Sequence, residues 1–356
     1  MAKIGLHRFD PESATPAQWA QFHRFRRLRL AQDFPADPIL PDHEAETILH
    51  QQRPTYETQR LLAMRNGQIA GVLILTYRRE ESAGSEDYRN HVEVGGGVLL
   101  SERRQGVGKA LLGGLADFMD HRNKTIATAR VHLPEGHAYM ATIGAKCNLR
   151  NVESRLPFDQ IRWEELSQWA ERPALSAPTL AWEVHAGRVP FAALRALMKP
   201  LSALLNEQPL GTLEGPSLRY ELENFPAWYA EMDRRGGDHF LVLLRDGEKV
   251  AAVCDAYWDQ RFPDRIQQEL TAVVGPWRNQ GLAKAVKARM LMLVRERHPE
   301  VKTAITNNAN SNAPMLSINR QLGFSVHRET GTYQIGNDAL RNYLAGRVST
   351  STGVRR

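Results

Sequence analysis

The sequence predicts an α/β protein built from two tandem domains, and three observations carry that prediction. First, a short phrase occurs twice between an apolar strand and a helix. Arg103-Arg104-Gln105-Gly106-Val107-Gly108 follows Val98-Leu99-Leu100 and leads into Lys109-Ala110-Leu111-Leu112. Arg278-Asn279-Gln280-Gly281-Leu282-Ala283 follows Thr271-Ala272-Val273-Val274 and leads into Lys284-Ala285-Val286-Lys287. Second, each phrase has a hairpin signal upstream: Asn66-Gly67 between two apolar runs, and Asp246-Gly247 between two more. Third, the landmarks keep nearly one spacing, with Gly67 and Gly247 180 residues apart, Gly106 and Gly281 175, and Gly144 and Gly323 179. A repeat of that length is a duplicated domain, not a solenoid unit.

In chain order the elements follow from local signals. Helices are expected at 18–32 and 42–51. The hairpin around Asn66-Gly67 comes next, then the first phrase and its helix, a short strand at Ile126 to Val131, and a helix at Tyr139 to Ile143 stopped by Gly144. A helical run from Trp163 to Ala170 precedes the Pro/Ala/Ser stretch from Arg172 to Pro178, where the join is expected. The second half has helices at 191–205 and 227–235, the Asp246-Gly247 hairpin, the second phrase, a strand at 303–306 and a helix from Met315 to Leu322 before Gly323. The expected division is therefore a first domain at 1–172, a linker at 173–180, a second domain at 181–346 and a frayed Ser/Thr/Arg tail at 347–356.

Composition narrows the class. A 42% hydrophobic and 24% charged chain is ordinary globular, without an apolar run of membrane-spanning length or a leader pattern, so the cytoplasm is the expected compartment. Two cysteines, Cys147 and Cys254, exclude a disulfide framework or a four-cysteine zinc site, and both are expected to be buried and inert. No His/Asp/Glu spacing suggests a metal. The net charge is +6, but 46 basic residues lie scattered among 40 acidic ones, which argues against nucleic acid as the partner.

The repeated phrase has a physical meaning. Small residues let the backbone approach a ligand, and the free N–H groups of a first helical turn point at an anion such as a diphosphate. This order of elements, with Arg/Gln-x-x-Gly-x-Gly/Ala turns, resembles the GNAT superfamily of N-acyltransferases, in two copies over nearly the whole chain. The run from Asn312 to Gly323-Phe324 resembles the family's distal Asn, helix and Gly-Phe element. The resemblance implies a mixed, mostly antiparallel central sheet flanked by helices in each domain. It implies acetyl-coenzyme A as cofactor, its diphosphate on Arg103, Arg104, Gln105, Gly106, Val107, Gly108 and Lys109, and on Arg278, Asn279, Gln280, Gly281, Leu282, Ala283 and Lys284. It implies pantetheine pairing along Val98, Leu99 and Leu100, and along Val273 and Val274, with Asn312 on the cofactor side.

Acyl transfer to an amine needs a group to take the amine's proton. Glu269, four residues before Val273 and sharing Thr271's face by alternation, is the expected base; a solvated strand carboxylate is the competing reading. Glu93 and His91 occupy comparable ground in the first half. The resemblance also implies a tyrosine four residues before the distal glycine as general acid, and here Asn319 and Met140 stand in its place. Tyr139 is one position away, about 100° around the helix. Asn319 can donate a hydrogen bond but not a proton. The glycine run Gly95-Gly96-Gly97 either bulges and opens a slot for an extended arm or is a loop before a shorter strand. The second half lacks these glycines and must open its slot another way.

Trp277 either covers the nucleotide or packs; Asn308 and Asn310 serve turns and caps. A small primary amine is the expected acceptor, its pocket shaped by loops 31–42, 80–89 and 256–266, with Asp33, Asp37, Asp42, Asp255, Asp259 and Asp264 available to attract it. The second half is the expected catalyst. A non-catalytic coenzyme A-binding module is the alternative.

Overall fold

The computed structural model describes residues 3–51, 54–82, 85–176, 179–215 and 217–347. In chain order the first half forms β1 (Gly5–Phe9), α1 (Pro16–Asp33), α2 (Asp42–His50), β2 (Tyr56–Arg65), β3 (Gln68–Arg78), β4 (His91–Val98), α3 (Val107–His121), β5 (Ile126–Val131), α4 (Pro134–Thr142) and β6 (Lys146–Pro157). The second half forms α5 (Trp163–Ser176), β7 (Leu180–Gly187), α6 (Phe191–Asn206), α7 (Phe225–Arg234), β8 (Asp238–Asp246), β9 (Lys249–Trp258), β10 (Arg265–Val273), α8 (Leu282–Arg297), β11 (Thr303–Ala309), α9 (Ala313–Leu322), β12 (Ser325–Gly336) and α10 (Asn337–Leu344). Helix α5 runs on past Ala170 through Pro173 to Ser176. Tail residues 348–356 lie outside the described residues.

The chain divides into two compact units. The first comprises Met1–Leu149, Thr212–Pro216 and Gly331–Arg356; the second comprises Arg150–Gly211 and Ser217–Thr330. In the first unit the strand order is β1-β2-β3-β4-β5, closed by residues 331–336 of β12 antiparallel to β5. In the second it is β7-β8-β9-β10-β11, closed by residues 151–157 of β6 antiparallel to β11. The closing strand of each sheet thus comes from the other half of the sequence. Within each sheet neighbours are antiparallel except for β4 with β5 and β10 with β11.

Strand alternation sorts side chains to two faces. In β8, Phe240, Val242 and Leu244 enter one core with α5 and α8, and Leu241 and Leu243 enter another with α6 and α7. In β3, Leu73, Leu75 and Tyr77 pack with α3, and Val72 and Ile74 with α1. Hairpin β2–β3 turns on Asn66 and Gly67, both left-handed (φ 52° and 74°), as the two-residue primed turn requires. The second hairpin turns one residue later than its sequence signal: Asp246 pairs with Lys249, leaving Gly247-Glu248 as the loop. No described helix is long and apolar enough to cross a membrane.

Two expectations need correction here. Cys147, at the start of β6, is exposed; Cys254, in β9, is buried as expected. The stretch 256–266 is not all loop, because β9 extends to Trp258 and β10 begins at Arg265.

Candidate active site

The two glycine turns have the same backbone. Arg104 and Asn279 are left-handed (φ 60° and 62°), as are Gly106 and Gly281 (φ 84° and 79°). Alternating hand brings successive N–H groups to one side, an anion-binding concavity, and each turn ends at the N-terminus of a helix, α3 or α8. The side chains match as well. Arg103 Nε and Arg278 Nε donate back to the strand carbonyls of Val98 (3.4 Å) and Val273 (3.0 Å). Gln105 and Gln280 donate to Ser101 O (2.8 Å) and Pro276 O (3.3 Å). Val107 and Leu282 are buried anchors of their helices, so only their backbones can face a ligand. Arg278 also pairs with Glu207, and Lys284 lies over Trp169. Trp277 packs against the α8 core, and Asn312 caps α9 by accepting from Met315 N (3.3 Å).

Beside each turn the sheet opens. Strands β4 and β5 pair in parallel from His91–Ile126 to Val94–Ala129, and β10 and β11 from Arg265–Thr303 to Gln268–Thr306. Beyond those last pairs the strands no longer hydrogen-bond to each other, and an extended arm can enter. The way each strand is bent differs from expectation. Gly95, Gly96 and Gly97 stay in unbroken register with β3 and form no bulge. Their glycine identity answers close approach instead: a Cβ on Gly96 (φ 106°) would lie 2.0 Å from Val72 O, and one on Gly97 2.8 Å from the Arg29 guanidinium. The bulge is in the second unit, between Gln268 and Thr271 of β10.

That bulge breaks the alternation that would put Glu269 on Thr271's face. Thr271 faces the α8 core, with its hydroxyl 3.4 Å from Cys254 Sγ, whereas Leu270 packs on the α6–α7 side. Glu269 stands opposite Asp255 of β9. It is exposed by surface area, while protein crowds it on several sides. That crowding, and then the like charge of Asp255, raises its carboxyl to about 7. Tyr220 and Tyr257 share the field: burial, then the neighbouring carboxylates, raise both phenols, Tyr257 to about 12. Asp255 accepts from His239 Nε2 (2.9 Å), whose Nδ1 meets Tyr229 Oη at 2.8 Å. The other acids expected to draw an amine are largely committed: Asp33 to Arg29, Asp42 to Arg26, Asp259 to Arg261 and Asp264 to Arg265.

In the first unit Glu93 is exposed on β4, in a row with Thr128 of β5 and Gln334 of β12. Residues 212–215 are tied down over this row. Glu214 N–H donates to Gln334 Oε1 (2.9 Å), Gln334 Nε2 donates to Glu214 O (2.8 Å), and His91 Nε2 lies 3.1 Å from the same carbonyl. His91 is thus engaged with backbone. Tyr139 points its hydroxyl at the first turn of α3, 3.1 Å from where a Gly108 Cβ would sit, and the hydroxyl is buried without a hydrogen-bond partner among the described residues. In the second unit Asn319 donates to Asn308 Oδ1 (2.7 Å), so Asn308 is drawn inward rather than used in a turn. His239 escaped the sequence reading, because a histidine fourteen residues past Phe225 carries no motif; only the β8–β9 pairing puts it beside Asp255.

The chain is similar to known proteins in sequence and in structure. Residues 22–141 match the family model described as the acetyltransferase (GNAT) family. A tandem GNAT protein from the clavulanic acid biosynthesis pathway is similar in structure, with a TM-score of 0.71, 17% identity, and 94% of this chain and 99% of that chain covered. A GCN5-related N-acetyltransferase from Sphaerobacter thermophilus aligns with a TM-score of 0.62, 14% identity, and 93% and 96% coverage. No curated protein matches the sequence. Residues 22–141 thus carry the sequence pattern of the GNAT family, and the chain as a whole has the tandem GNAT fold.

Proposed function

We propose that this protein is an acyl-coenzyme A-dependent N-acyltransferase, acetyl being the simplest acyl group, that acts on a primary amine of a small molecule and catalyses in its second unit. The observation that supports this most is the combination at β10: a parallel pair that parts after Gln268, a bulge at the parting, and Glu269 in that bulge beside a diphosphate-type turn. Acyl-coenzyme A would lie with its diphosphate on the N–H groups of Asn279 to Ala283 and supply the thioester. Backbone N–H groups freed by the bulge polarise the carbonyl. Glu269, ionised above about 7, takes the proton of the attacking amine. Asn319 stands where the resemblance implies a tyrosine, and it supports a thiolate by hydrogen bonding without protonating it.

The test is calorimetric titration with acetyl-coenzyme A of wild type, Gly281→Glu and Gly106→Glu, with thiol release over an amine panel. The expected result is that Gly281→Glu abolishes turnover and one binding event. Unchanged affinity and stoichiometry in both variants would remove the premise. The absence of a tyrosine at Asn319 and Met140 favours a second reading, a non-catalytic coenzyme A-binding module; cofactor binding with no turnover on any amine would select it.

A further inference from the structure

Beside the parted strands, matching positions differ in kind between the units. Four positions correspond by topology or by spacing from the shared glycines: the last parallel pair, the helix residue six past the turn glycine, and the residue four before the distal glycine. In the first unit they are Val94, Ala129, Leu112 and Met140, all apolar. In the second they are Gln268, Thr306, Lys287 and Asn319, all polar, with exposures of 2%, 1%, 1% and 2%.

Buried polar groups are normally paired, because burial without a partner is costly. Here three are not. Neither Oε1 nor Nε2 of Gln268 has a hydrogen-bond partner among the described residues, nor has Asn319 Oδ1. Lys287 meets the Phe324 ring at 5.2 Å, and the titratable group that acts on it is Cys254 rather than a carboxylate. Its titratable neighbour Cys254 does not supply the missing charge, because burial holds that thiol up at about 11. Burial lowers Lys287 to about 8, so at lower pH its charge stands uncompensated.

We propose that the acyl slot of the second unit takes, in preference to acetyl, a short acyl group ending in a carboxylate, with Lys287 as its ion partner and Gln268 as its hydrogen-bond donor. This rests on the acyltransferase reading above. In the reaction the amine nitrogen forms the C–N bond, the C–S bond breaks, coenzyme A leaves as thiolate and the amine's proton passes to Glu269. The remote carboxylate stays ionised against Lys287 throughout. An anion brought to an unpaired buried ammonium completes a charge-assisted contact that a methyl group cannot make.

Succinyl-coenzyme A and butyryl-coenzyme A have acyl chains of equal length and differ in a carboxylate against a methyl. Their affinities would be measured by titration, beside coenzyme A itself, in wild type, Lys287→Met and Gln268→Leu. Wild type is expected to favour the succinyl form by about tenfold or more, the scale of one charge-assisted hydrogen bond. Both variants are expected to lose that preference while still binding coenzyme A. If Lys287→Met fails to fold, Gln268→Leu carries the test. Equal binding of the two thioesters by wild type would overturn the proposal, as would a preference that survives both substitutions; the polar cluster would then hold water. These outcomes leave the broader reading standing. Failure of wild type to bind coenzyme A at all would sink both.

Discussion

The two units share a turn and diverge in everything around it. Arg104 and Asn279, Gly106 and Gly281, and the paired Arg and Gln side chains adopt matching conformations. Yet the first unit has glycines in register, apolar residues at the matching positions, and its Glu93 row overlaid by residues 212–215. The second has a bulge, a polar cluster and a carboxylate raised to about 7. The shared turn depends on a few consecutive residues and is the same in both units. The surroundings that the proposed function assigns to acyl selection and amine activation depend on residues from several strands, and those differ.

The largest expected effect tests that split directly. Glu269→Gln should lower kcat/KM by roughly 10²–10⁴, the range for a lost general base, while Glu93→Gln should leave it within about twofold. Steady-state thiol release on each variant checks this. A loss with Glu93→Gln as large as with Glu269→Gln would break the contrast between the units.

What could be read from the sequence follows the same line. Hairpins and phosphate turns are written in adjacent residues: Asn66-Gly67 needs left-handed backbone, and Gly106 and Gly281 need it too. The strand exchange was not legible, because β6 and β12 find their partners only through pairings about 150 and 200 residues away. The bulge was misplaced, because three glycines in β4 suggest one and nothing in Gln268-Glu269-Leu270-Thr271 does. The polar cluster was invisible for the same reason: Asn319 was marked by its place before the distal glycine, but Gln268, Lys287 and Thr306 come from three other elements, and singly each reads as a surface residue.

The next effect concerns stability of the first unit. Gly96→Ala places a Cβ against Val72 O at a left-handed φ of 106°, so strand β4 must shift. A loss of about 3 kcal/mol is expected in thermal or denaturant unfolding, the combined scale of backbone strain and a displaced strand pairing. A loss below about 0.5 kcal/mol would mean that β4 yields without cost. The corresponding position of the second unit has no such constraint, because the bulge has already bent the strand.

Lys287→Met should raise the melting temperature, with a dependence on pH that identifies the cause. The folded protein favours neutral Lys287, with its pKa lowered from 10.5 to about 8, while the unfolded chain keeps the higher value. The penalty for burying the charge is therefore fully present below about 8 and fades toward 10.5. The gain from Lys287→Met should be greatest at pH 7 and shrink by pH 10. A gain independent of pH would assign it to packing alone.

The smallest effect concerns the carboxylate pair. Glu269 is raised first by burial and second by Asp255, so Asp255→Asn removes only the second cause. The groups facing Glu269 are then Tyr220 and Tyr257, both neutral near pH 7, as phenols at or above their ordinary range are. The midpoint of the rise in kcat/KM with pH should move down, toward the ordinary carboxylate range, without reaching it. Stability should follow the same sign. A raised carboxyl binds its proton more tightly in the folded state, so the fold loses stability as pH rises from 4.5 to about 7. Glu269→Gln, compared with wild type by thermal unfolding, should therefore gain more at pH 8 than at pH 5, and Asp255→Asn should narrow that difference. A midpoint that stays in place in Asp255→Asn would make burial alone the cause, and Asp255, held by His239, would then act only to position the strand.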